Sequence, residues 1–195
     1  MNAAAAFPRL DRMIATFAFA VVAAVAGILV APQVAQAQQS GTPHLMLQLK
    51  DGVVDIELLP AVAPKHVERI VTLTNQGFYN GIVFHRVIEG FMAQTGDPTG
   101  TGMGGSDLPD LQAEFSSEPF VRGTVGAART QDPNSANSQF FIMFGEAPHL
   151  NGQYTVFGKV VAGMELVDNI KKGAQSDNGT VTDPDKIISA KIEYK

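Results

Sequence analysis

Residues Phe84–Asp97 read FHRVIEGFMAQTGD, a stretch that sets one arginine, Arg86, among Phe84, Val87, Ile88, Phe91 and Met92 and follows them with the amide of Gln94. An arginine is seldom fully buried without a partner. Flanked by aromatics and aliphatics, it either extends to a rim, where Glu89 or Asp97 could pair with it, or works in an apolar pocket. Gln94 adds a side chain that both donates and accepts hydrogen bonds. A second stretch, NSANSQFFIM from Asn134 to Met143, has the same mixture, with the amide of Gln139 ahead of Phe140, Phe141, Ile142 and Met143. Strand alternation sends Phe140 into the core and Phe141 to the opposite face, toward a groove.

Outward from these stretches the chain reads mostly as short strands. HLMLQLK (residues 44–50) puts Leu45, Leu47 and Leu49 on one face, Asp51-Gly52 supplies a hairpin corner, and VVDIELL runs back. Pro60 and Pro64 end the hairpin. Ala63 to Gln76 then carries Val67, Ile70, Val71, Leu73 and Thr74 near one side at helical spacing, with Gly77 as the stop. IVFHRVI and FMAQTG predict two strands joined through Glu89-Gly90, and further strands are predicted over 123–128, 138–143, 154–161 and 187–195. Met164 to Lys171 predicts a short helix with Leu166, Val167 and Ile170 inward. Short strands, two helices and no βαβ alternation predict an antiparallel barrel or sandwich, and barrel closure would remove the exposed edges. The loop from Asp97 to Pro109 holds a literal GxGxxG at Gly100, Gly102 and Gly105, but prolines bracket it and no helix follows. Glycines shaping a loop beside a groove explain it better than a dinucleotide site.

Composition narrows the function classes. A chain of 195 residues with 45% apolar and 17% charged residues supports one globular domain with a full core. The net charge of −5 and the lack of any Lys/Arg block exclude a nucleic-acid surface. With no cysteine, disulfides, thiolate nucleophiles and Cys-bound zinc are absent. His44, His66, His85 and His149 show no metal-ligand spacing, so neither metal nor other cofactor is expected. Arg9 and Arg12 precede an apolar run from Met13 to Ala31, Pro32 breaks it, and Ala35-Gln36-Ala37 gives the small-x-small pattern of a cleavage site. Residues 1–37 therefore read as a cleavable export signal, 38–43 as a short linker and 44–195 as the folded domain. The alternative is a retained anchor, since this run approaches the roughly 20 apolar residues that span a bilayer. The proline and the Ala-x-Ala fall where cleavage needs them, which favours export to a bacterial periplasm without stable membrane association.

FHRVIEGFMAQTGD, followed about forty residues on by NSANSQFFIMF and then by HLNGQYTVFGKVV, resembles the cyclophilins, the family of peptidyl-prolyl cis/trans isomerases. The likeness runs from about His44 to Tyr194 and is closest to bacterial periplasmic members. It implies a mainly β fold, a closed eight-stranded antiparallel β-barrel capped by two α-helices, in a monomeric chain. It also implies a site: Arg86 and Gln94 as catalytic residues, and Phe91, Met92, Gln139, Phe141, His149, Leu150 and Tyr154 as substrate-binding residues, with Ala128 and Arg129 contributing main chain. His149 stands where many eukaryotic members carry Trp, and Tyr154 where they carry His. That Trp helps to hold cyclosporin, so weak cyclosporin binding is expected. Thr95 replaces a usual glycine.

The implied partners are extended proline-containing polypeptides. An X–Pro amide interconverts over roughly 18–20 kcal/mol because rotation breaks the resonance between nitrogen and carbonyl. No proton transfer is needed, so His85 reads as structural despite its place beside Arg86. A different class of function fits the same groove, a chaperone module that holds proline segments with incidental catalysis. Asn178-Gly179-Thr180 matches a glycosylation acceptor that only a eukaryotic secretory host would use.

Overall fold

The computed structural model describes residues 41–195; the export-signal reading of residues 1–37 lies outside the described residues. Strand β1 (Pro43–Leu49) and strand β2 (Gly52–Leu58) form the opening hairpin, with Leu45, Leu47, Val54 and Ile56 turned to the core. Its corner falls one residue earlier than Asp51-Gly52. Leu49 pairs with Gly52, so Lys50 and Asp51 make the turn and Gly52 opens β2 at a φ of 153°. Helix α1 (Pro64–Asn75) starts with the fixed φ of a proline and buries Val67, Ile70 and Leu73. It stops in a Schellman motif: Phe78 N–H donates to Leu73 O and Gly77 N–H to Thr74 O, with Gly77 at a φ of 72°.

Six more strands and one helix follow: β3 (Arg86–Ile88), β4 (Met92–Thr95), β5 (Thr124–Ala127), β6 (Phe140–Met143), β7 (Val156–Ala162), α2 (Met164–Asp168) and β8 (Ser189–Tyr194). Several are shorter than their apolar patterns. Residues 82–85 leave the IVFHRVI strand because their main chain bonds to the C-terminal loop, Phe84 N–H to Asp185 O and Ile187 N–H to Ile82 O, both at 2.9 Å. Helix α2 ends at Asp168 rather than Lys171, whose N–H is taken by Asp185 Oδ2 at 2.8 Å.

The strands form one antiparallel sheet in the order β3-β4-β6-β5-β7-β2-β1-β8, with α1 packed against β1, β7 and β8 and α2 against β2. The expected barrel closure is not made: the sheet is a curled, open half-barrel whose end strands β3 and β8 share no ladder. Two isolated bridges, Val83 to Lys186 and Arg86 to Thr180, lie near the seam. The outer edge of β3 is already used, since Val87 N–H donates to Gly179 O at 2.8 Å and Val87 O accepts from Gly173 N–H at 2.9 Å. A loop, not β8, satisfies that edge.

Alternation along β4 and β6 divides the apolar side chains between two clusters. Ala93, Phe140 and Ile142 enter the main core with Leu45, Leu47, Ile56 and Phe157. Met92, Phe141 and Met143 enter a smaller cluster with Phe120, Ala147, Leu150 and Val156. That second cluster underlies the candidate site. Among the described residues, no helix is long and apolar enough to cross a membrane, and no group of three or more His, Asp or Glu side chains is arranged to hold a metal.

Candidate active site

Strand register places the central residues in one row. Arg86 on β3 is paired with Gln94 on β4, Gln94 with Phe141 on β6, and Phe141 with Gly126 on β5. Side chains in such a row share a face of the sheet. Gly126 is required there, because a Cβ would lie 2.6 Å from both Phe120 Cε1 and Phe141 Cζ. The absence of a side chain on β5 makes room for an aromatic pair. Phe120 stacks on Phe141 with centroids 5.7 Å apart, and Tyr154 meets Phe141 edge-on at 5.9 Å.

These residues line a groove of about 330 Å³ with Arg86 and Gln94 at one side and Phe91, Met92, Phe141 and Leu150 forming its apolar part. Ala128, Arg129, His149 and Tyr154 complete it. Arg129 folds its guanidinium over the Tyr154 ring at 4.2 Å and donates to Gln153 O and Thr130 O, so its side chain braces the wall. His149 is exposed and stacks on Phe91 at 5.9 Å. Gln139 alone of the sequence-derived residues does not line this groove. It borders an adjoining cavity and touches Gln94, whose Nε2 donates to Gln139 Oε1 at 2.9 Å.

Arg86 pairs with neither Glu89 nor Asp97. Its Nε donates to Asn178 O and its Nη2 to Asn178 Oδ1, both at 3.0 Å, and its Nη1 donates to Gln94 Oε1 at 3.2 Å. Burial pushes the Arg86 pKa down and the nearby Tyr154 pulls it up, but a guanidinium stays charged in either case. His85 is buried beneath Gly102 with both ring nitrogens unpartnered, and burial pushes its pKa down, against the pull of Asp97. It does not line the groove. Thr95, fully buried, spends its hydroxyl on Val83 O at 2.9 Å, tying β4 to the segment before β3.

A charged donor beside an apolar groove, framed by these motifs, is matched by comparison with known proteins. The family model for cyclophilin type peptidyl-prolyl cis-trans isomerase/CLD matches residues 44–192. The chain belongs to the cyclophilin-type peptidyl-prolyl cis-trans isomerases. A probable peptidyl-prolyl cis-trans isomerase of Brucella suis is 62% identical over 160 residues, covering 76% of this chain and 82% of the relative. Human peptidyl-prolyl cis-trans isomerase-like 3 is 46% identical over 125 residues, covering 62% and 77%. Among solved structures, a cyclophilin of Cryptosporidium parvum crystallised in the presence of the dipeptide Ala-Pro aligns with a TM-score of 0.71 at 29% identity, over 78% of this chain and 99% of that one. A cyclophilin of Hirschia baltica aligns at 0.66, also at 29% identity, over 75% and 72%.

Two residues that support this cyclophilin's groove from outside its lining were not among the site residues read from the sequence. Phe120 is a lone aromatic between Pro119 and Val121 in a polar loop, and only its position against Phe141 gives it meaning. Asn178 drew notice only as a glycosylation acceptor, yet it supplies two of the three hydrogen-bond acceptors of Arg86. Its left-handed φ of 51° is one that asparagine tolerates. Gly179 follows at a φ of 78°, where a Cβ would collide with Ile88 Cγ1.

Proposed function

We propose that this isomerase works through Arg86 and Gln94 in the groove, and that it accelerates X–Pro isomerisation in exported proteins as they fold in the periplasm. Rotation makes and breaks no bond, so a catalyst needs only to favour the twisted amide, whose prolyl nitrogen turns pyramidal and gains a lone pair. Phe91, Met92, Phe141 and Leu150 bury the proline ring. Arg86 commits three of its five N–H groups to Asn178 and Gln94, which leaves one hydrogen on each terminal nitrogen for that lone pair. Gln94 holds a substrate carbonyl while the other end turns. The observation that carries this reading is the three-point anchoring of Arg86 beside the apolar part of the groove, and the Ala-Pro present with the Cryptosporidium relative supports the substrate class.

The leader pattern of residues 1–37 supports the periplasmic assignment. The chain then acts as a monomer without stable membrane association, and His149 in place of a Trp makes cyclosporin a weak ligand. Mass spectrometry of the exported protein is expected to give a chain starting near Gln38; an intact leader would make it a tethered protein instead. For the site, magnetisation-exchange NMR on an X–Pro peptide is expected to show accelerated exchange. If the preference of Arg86 for the twisted state is about 3–4 kcal/mol, Arg86→Ala should slow it by roughly 10²–10³. Peptide binding without accelerated exchange would make the groove a proline-holding chaperone site.

A further inference from the structure

Asp97 is 1% exposed, and its carboxylate is the hub of the glycine-rich loop that follows it. The N–H groups of Thr99, Thr101, Gly102 and Gly104 donate to it at 2.7, 3.1, 2.6 and 3.1 Å, and the Thr99 hydroxyl does so at 2.8 Å. The literal GxGxxG of this loop therefore belongs to an anion cradle, but the anion is the chain's own side chain. A Cβ at Gly104 would run into Asp97 Oδ1, so only glycine lets the backbone close on it. Burial pushes the Asp97 pKa up, and the hydrogen bonds from Thr99, Gly104 and Gly102 overcome this and bring it to about 2.

With its N–H groups gathered on Asp97, the loop presents two carbonyls to Gln139, whose Nε2 donates to Gly102 O at 3.0 Å and to Gly104 O at 2.8 Å. Both hydrogens of that nitrogen are used. Gln139 Oε1 accepts from Gln94 Nε2 at 2.9 Å, and Gln94 Oε1 accepts from Arg86 Nη1 at 3.2 Å. Amide orientation is often a free choice, but here the chain begins on a guanidinium, which only donates, and ends on carbonyls, which only accept. Each amide between them can stand one way only. Gln94 then keeps one Nε2 hydrogen uncommitted beside the groove.

We propose that Asp97 is a positioning residue: through the glycine loop and Gln139 it fixes the amide of Gln94 so that nitrogen, not oxygen, is offered to a substrate carbonyl. This rests on the reading of Gln94 as the group that holds that carbonyl. Without the loop carbonyls, Gln139 is free to flip and set its nitrogen against that of Gln94, so that Arg86 alone holds the Gln94 amide and the nitrogen offered to the substrate carbonyl is less firmly placed.

A double-mutant cycle on the full protein tests the relay, with kcat/KM for an X–Pro peptide measured for the parent, Asp97→Asn, Gln139→Ala and the double variant. Asp97→Asn alone is expected to lower kcat/KM by about tenfold to hundredfold. In the Gln139→Ala background it should change kcat/KM by less than about twofold, because the path to Gln94 is already cut. Side-chain amide hydrogens of Gln139, slow to exchange in the parent, should exchange fast in Asp97→Asn. Thr99→Val, which removes one donor and keeps the shape, should show a smaller loss with the same dependence on Gln139, and it decides the matter if Asp97→Asn does not fold. Equal losses in both backgrounds, or no loss in either, would overturn the relay. A parent that binds the peptide without isomerising it would overturn the catalytic reading of the groove instead, and the amide-exchange comparison would then judge the relay alone.

Discussion

Arg86 is held by groups that come from very different distances along the chain, and this decides what the sequence could reveal about it. Gln94 is eight residues away and directly across a two-strand register, so the motif FHRVIEGFMAQ already contains the pair. Asn178 is 92 residues away, on a loop with no period and no motif beyond a glycosylation-acceptor match, and its contact exists only because that loop covers the edge of β3. Asn178→Gly keeps the left-handed backbone and the main-chain acceptor while deleting Oδ1. A hydrogen bond to a charged group is worth about 1.5–3 kcal/mol. If that energy serves to aim Arg86, turnover should fall by about tenfold or more with peptide affinity changed far less, as read by exchange NMR and titration. An equal fall in affinity would mean that Asn178 shapes the groove instead of aiming the guanidinium.

Helix α1 shows the same division between local and distant causes. Its apolar stripe and its glycine stop are local and were legible. Its start lies within one residue of the expected Ala63, but its cap was not legible, because Ala63 offers no side-chain cap. The cap comes from Glu114 on the long loop, with Oε1 accepting Lys65 N–H at 3.1 Å and Oε2 accepting His66 N–H at 3.0 Å and His66 Nδ1 at 2.6 Å. A carboxylate at a helix N-terminus also meets the positive end of the helix dipole. Glu114→Ala should therefore cost about 2 kcal/mol, seen as a lower urea midpoint with unchanged slope. Loss of slope as well would indicate that the loop, not only the cap, had been released. The lengths of β3 and α2 belong to the same lesson: their patterns run on, but Asp185 and its neighbours take the main-chain groups that longer elements would have needed.

At the scale of the molecule, alternation made the antiparallel class and the two opposed clusters legible, and closure was not, because the edge of β3 is taken by the distant loop carrying Gly173 and Gly179 instead of by β8. Two buried histidines, His66 and His85, make stability depend on pH near neutrality. Burial pushes the pKa values of His66 and His85 below their ordinary value of 6.5, although Glu114 and Asp97 respectively pull them up. Below that pH the unfolded chain binds more protons than the folded one, so stability should decline as pH falls from about 7 to 5, by at most about 1.4 kcal/mol per pH unit per histidine. Denaturation midpoints across that range check it, and His66→Gln should flatten the profile. Asp97 acts in a different window. Its folded pKa of about 2 lies below an ordinary 3.8, so its contribution is complete only above about pH 5 and is lost progressively as pH falls through 3.8 toward 2. The central claim is that the anchored guanidinium of Arg86 favours the twisted amide. The most direct measurement is the cis/trans interconversion rate of an X–Pro peptide while bound, compared between the parent and Arg86→Lys, which keeps the charge and loses the fork. A bound rate at least about tenfold slower in Arg86→Lys, with affinity nearly unchanged, is the predicted result. Equal bound rates in the two proteins would contradict it.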